Sequence, residues 1–130
     1  MDGARCIETI KVTNLLSFGP EAEEVELQPL NVLIGPNGSG KSNFLESLAL
    51  LRKIPSNLAH HFHYRGGPSQ WIYRGGAADR AACISVAISH PAGRVALGHR
   101  LKFNFNDGEL YILEETVRNA ESGAEKPITF

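Results

Sequence analysis

Eight consecutive residues hold most of the chemistry available to this sequence: Gly35-Pro36-Asn37-Gly38-Ser39-Gly40-Lys41-Ser42. They satisfy the spacing G-x-x-x-x-G-K-S/T. Glycine at 35, 38 and 40 lets the backbone turn sharply and gathers successive N–H groups around an anion. Lys41 adds a point charge able to reach the β- and γ-phosphates, and the Ser42 hydroxyl can ligate magnesium. Chance would place the four fixed positions in well under about one in a hundred chains of this length. The ligand such a set fits is a nucleoside triphosphate, and ATP with magnesium is the expected pair of cofactors.

The elements around this loop are those that it requires. Leu30 to Ile34 is an apolar run between Pro29 and Gly35, which predicts a strand buried on both faces. Lys41 to Ile54 has Phe44, Leu45, Leu48 and Leu51 at helical spacing and predicts a helix stopped by Pro55. The N-terminus of that helix, with unpaired N–H groups, would face the anion together with Asn43. Upstream, Arg5 to Val12 reads as a strand with Cys6, Ile10 and Val12 on one face. Asn14 to Pro20 reads as a loop, and Glu23 to Leu27 as a half-exposed strand.

Downstream, residues 55–80 predict a long surface loop with short helical turns. They include the near-repeats Tyr64-Arg65-Gly66-Gly67 and Tyr73-Arg74-Gly75-Gly76. The last third is β-rich. Ile84, Val86 and Ile88 alternate with small residues, and Val95 to Phe105 alternates most cleanly of all. His90 to Gly93 and Asn106-Asp107-Gly108 are the turns between strands, and Leu110 to Val117 returns as a further strand. The tail, residues 119–130, reads as frayed. One lobe spanning 1–130 results: 1–54 strands, phosphate loop and helix; 55–80 glycine-rich loop; 81–118 antiparallel strands. The fold class is α/β with α+β character.

With these residues in view, Leu30 to Asn43 resembles the N-terminal phosphate loop of the ABC-type ATPases of chromosome maintenance, DNA repair and phage defence. These are the SMC, Rad-type and RecF group with their AAA-labelled predicted-ATPase relatives. Ile10 to Phe18 is similar to that group's first strand and the loop that follows it. The resemblance is tight from Ile7 to about Leu51. It implies that Gly35, Pro36, Asn37, Gly38, Ser39, Gly40, Lys41, Ser42 and Asn43 hold the nucleotide, with Lys41 in the catalytic role and Ser42 on the metal. It also implies that Asn14, Ser17 and Phe18 border the ribose or base. One position departs from the group: Leu16 stands where many relatives carry a basic residue near the γ-phosphate.

The resemblance further implies a Walker B strand ending in Asp-Glu and a signature loop that caps the γ-phosphate of a dimer partner. Neither is found in the sequence. Leu110-Tyr111-Ile112-Leu113-Glu114-Glu115 is the nearest imitation and reads as an ordinary strand with Glu where Asp belongs. The expectation is therefore the N-terminal lobe of a longer ATPase, hydrolysing ATP when completed by a C-terminal half and a dimer partner. The competing reading is a module that holds nucleotide without turning it over. A second copy or the C-terminal half of the same ATPase is the expected partner.

The remaining features are blander. Apolar residues are 42% and charged residues 21%, a soluble globular balance. The formal net charge of −1 gives no support for nucleic acid, so DNA stays open only for the full protein. The start lacks a secretory pattern, and no apolar run is long enough to span a membrane, so the expected location is cytoplasmic. Cys6 and Cys83 read as reduced thiols. His60, His61 and His63 read as solvated, Trp71 as a packing anchor, and Arg65 and Arg74 as surface residues with phosphate or DNA contact as the alternative. Gln70 is not matched securely to the metal-contacting glutamine of ABC proteins.

Overall fold

A computed structural model describes residues 7–54, 57–64, 66–75, 81–89 and 95–119. Alternating apolar residues build five antiparallel strands: β1 (Ile7–Thr13), β2 (Val25–Glu26), β3 (Ala82–Ile88), β4 (Leu97–Asn106) and β5 (Glu109–Asn119). Their order in the sheet is β2-β1-β3-β4-β5. Register follows the alternation. Lys11, Ser85, Arg100 and Thr116 are cross-strand neighbours on one face, while Val12, Ile84 and Leu101 align on the other. The apolar face is the core face, since Ile10, Val12, Ile84, Val86, Leu101 and Phe103 are all buried. Asp107 and Gly108 take positive φ of 51° and 78°, the paired left-handed conformation of a tight hairpin between β4 and β5.

Among the described residues, three helices supply the other half of the core: α1 (Lys41–Leu51), α2 (Leu58–Tyr64) and α3 (Pro68–Trp71). Phe44 and Leu50 of α1, Leu58 and Phe62 of α2 and Trp71 of α3 join the same cluster as the sheet residues. Phe62 is its aromatic centre, with ring centroids 5.0 Å from Trp71, 5.4 Å from Phe103 and 4.9 Å from Phe105. Trp71 is the packing anchor that its type suggests, at 2% exposure.

Three expectations are corrected. Leu30 to Ile34 is not a buried strand. Residues 31–36 have no regular structure, and Leu30, Val32 and Ile34 are 84%, 75% and 90% exposed. A strand exists through ladder hydrogen bonds to a neighbour, and no described strand lies beside this run. The helix stripe is also rotated: α1 buries Phe44, Ser47 and Leu50, and Leu45 is exposed. Ser47 is accommodated because its hydroxyl donates to the Asn43 carbonyl at 2.9 Å, so a polar residue enters the core without an orphaned group. Finally, the region expected to be a surface loop with short helical turns does form the short helices α2 and α3, but it is not confined to the surface, since Leu58, Phe62 and Trp71 enter the core. Cys6, Pro55, Arg65, the turn at 90–93 and the tail at 120–130 lie outside the described residues. Cys83 is a buried free thiol.

Candidate nucleotide-phosphate site

The phosphate loop is assembled by local geometry. Before it, the Gln28 N–H donates to Asn31 Oδ1 at 2.8 Å and Asn31 Nδ2 donates to the Gln28 carbonyl at 2.7 Å. That reciprocal pair closes a turn around Pro29 and aims the chain into the loop. Within it, the Ser39 N–H donates to the Pro36 carbonyl at 3.2 Å. A Cβ at Gly35 would lie 2.6 Å from Ser39 Oγ, so a larger residue there would have to push the Ser39 side chain aside. Gly38 and Gly40 have φ of 85° and 100°, the left-handed region that glycine occupies without penalty.

Gly40 is also the N-cap of α1. It offers no side-chain cap, and the first turn contains no acidic residue. The first N–H groups of an α-helix lack intrahelical acceptors. Here they meet an uncapped, acid-free end, where a phosphate is the natural acceptor. Beside this end lies a cavity of about 350 Å³ lined by Asn37, Gly38, Gly40, Lys41, Ser42 and Asn43. The Lys41 ammonium donates to the Gly35 carbonyl and so arches over the loop. Ser42 is exposed at the cavity. Backbone N–H donors, a lysine and a free hydroxyl form a donor set that fits a magnesium-chelated polyphosphate. When bound, the metal would neutralise the charge developing on the phosphates.

The other residues expected at the site separate. Ser17 belongs to it: a Cβ on Gly40 would lie 3.3 Å from Ser17 Oγ. Asn43 lines both the phosphate cavity and an adjoining groove of about 280 Å³ walled by Ser17, Gln70, Tyr73 and Arg74. Asn14 does not open onto either. It holds a positive φ of 55°, donates through Nδ2 to the Ala81 carbonyl at 3.2 Å, and lines a small void with Phe103 and Phe105. Phe18 pairs with Leu15 through the backbone and packs against the core.

The Walker B imitation on β5 is placed away from this site. Glu114 is a cross-strand neighbour of Lys102, on the sheet face opposite the helices, with Arg100 Nε 3.8 Å from its carboxylate. Glu115 meets His99 Nε2 at 3.0 Å. The His61 ring packs 5.5 Å from Trp71, and no group of three His, Cys, Asp or Glu residues able to hold a metal ion occurs among the described residues. No described helix is long and apolar enough to cross a membrane.

One device escapes sequence reasoning. The Leu16 N–H donates to the Trp71 carbonyl at 2.7 Å, and Leu15 bridges Ile72. The Tyr73 ring then fits between two glycines: a Cβ at Gly19 would come within 3.1 Å of the ring, and one at Gly75 within 2.6 Å of its hydroxyl. The only sequence signal is an aromatic two residues before a glycine, which is too common to read.

A glycine loop, an uncapped helix N-terminus, a lysine over the loop and a hydroxyl at its end define a P-loop nucleotide-binding domain of the ATPase type. Residues 30–129 match the model of the family described as AAA domain, putative AbiEii toxin, Type IV TA system, and the chain belongs to that family. No curated protein and no solved structure matches the chain.

Proposed function

We propose that this chain is the ATP-binding N-terminal lobe of an ABC- or SMC-like ATPase, with ATP held as its magnesium complex. Hydrolysis requires a C-terminal half and a dimer partner. The observation that carries this reading is the contrast across Gly35. On one side the phosphate cradle is fully formed, with Lys41 turned to the Gly35 carbonyl. On the other, Leu30, Val32 and Ile34 stand exposed with no ladder partner among the described residues. Phosphoryl transfer needs positioning, charge neutralisation and an oriented water. The loop supplies the first two. The carboxylates of β5 do not line the cradle to supply the third: Glu114 lies on the opposite face of the sheet and Glu115 is engaged by His99. The family description suggests a toxin–antitoxin setting for the complete protein.

Nucleotide binding and turnover, measured for the chain alone and again with the C-terminal half of its ATPase, test this reading. Binding without turnover alone, and turnover on completion, are expected. Efficient hydrolysis by the chain alone would contradict it.

A further inference from the structure

The groove beside the phosphate cradle has walls that a phosphate does not need. Leu16 and Ile72 are apolar, Tyr73 is aromatic, Ser17 and Gln70 offer hydrogen bonds, and Arg74 places an exposed guanidinium at the rim. The groove joins the cradle through Asn43, one residue past Ser42. Lys41, which in such loops reaches the terminal phosphates, turns instead to Gly35 at the start of the loop. A triphosphate lying in the cradle with its terminal end under Lys41 would therefore carry its nucleoside toward Asn43 and into the groove.

We propose that the segment Gln70 to Gly75 recognises the nucleoside of the bound nucleotide, with Arg74 as a specificity-determining residue over the base. This rests on the phosphate-loop reading of Gly35 to Ser42. The chemistry matches a planar heterocycle with attached hydroxyls. A guanidinium is planar and stacks on π faces, Tyr73 and Ile72 offer apolar contact, and Ser17 and Gln70 can meet sugar hydroxyls. The wall is also preformed. Tyr73 is wedged between Gly19 and Gly75, and the Leu16 N–H to Trp71 carbonyl bond ties its segment to the loop bearing Ser17. A site fixed in advance loses less freedom on binding. Arg74 thus brings a cation to the groove that also contains Leu16.

Titrating the chain with magnesium ATP and, separately, with magnesium tripolyphosphate tests this. The wild type should bind ATP at least about tenfold more tightly, because stacking and hydrogen bonds act only on the nucleoside. Arg74→Ala, at an exposed position, should erase most of that advantage and leave tripolyphosphate affinity within about twofold. Gly75→Ala should act likewise by displacing the Tyr73 ring. Equal losses for both ligands would make Arg74 a phosphate ligand and overturn the proposal, as would no change for either. Lys41→Ala should weaken both ligands together. If it weakened neither, the phosphate-loop reading itself would fail, whatever Arg74→Ala showed.

Discussion

The backbone N–H of Leu16 donates to the carbonyl of Trp71 at 2.7 Å, and this bond joins the loop beside the phosphate cradle to the aromatic core. Trp71 itself is buried against Phe62 and His61. Trp71 is therefore one of the residues that couple site and core, beside Leu15 and the buried face of α1. Trp71→Ala should cost about 3–5 kcal/mol, the usual range for removing a large buried aromatic. It should also weaken nucleotide binding, because Ser17 sits on the same loop. Chemical denaturation and an ATP titration of the folded fraction measure the two effects. A midpoint close to wild type would show that the aromatic cluster is not the core.

Gly40 joins two roles, as N-cap of α1 and as neighbour of Ser17. Its φ of 100° is strained for any other residue, and an added Cβ would press on Ser17 Oγ at 3.3 Å. Gly40→Ala should cost about 1–3 kcal/mol of stability through backbone strain. It should weaken triphosphate binding more than that, since the first N–H groups of α1 would move. Thermal unfolding with and without ATP separates the two terms: the mutant should lose most of the shift that ATP gives the wild type. A full ATP-induced shift would argue that the helix end does not contact phosphate.

Much of the sheet is legible because period-two alternation is a direct statement about faces. Ile84 and Val86, and Leu101 and Phe103, are buried where the pattern puts them. The phosphate loop is legible because glycine, lysine and serine at fixed spacing have few other uses. Leu30 to Ile34 misleads for a physical reason. Apolarity records what a segment would bury against, and the partner that would make it a strand is not among the described elements. The helix stripe fails over Ser47, whose bond to the Asn43 carbonyl conceals a core position behind a polar type. The Tyr73 clamp is illegible because it depends on contact between Tyr73 and Gly19, which are far apart in the chain.

The exposed run before the loop makes a prediction about association. Leu30, Val32, Leu33 and Ile34 present apolar side chains and, among the described residues, have no ladder partner, which invites another strand. The chain should self-associate in a concentration-dependent way. Val32→Ser with Ile34→Ser should reduce that association, while unfolding stability changes by less than about 1 kcal/mol, because both side chains are already in solvent. Light scattering over a broad concentration range checks this, and a clean monomer throughout would contradict it.

The measurement closest to the central claim is a calorimetric titration of the wild type and Lys41→Ala with ATP in the presence of magnesium. A phosphate cradle built on Gly35 to Ser42 predicts one saturable site in the wild type. It also predicts loss of most of that affinity, about tenfold or more, on removing a charge-assisted contact. Equal affinity in the two proteins, or no binding by the wild type, would contradict the assignment of this loop as the nucleotide site.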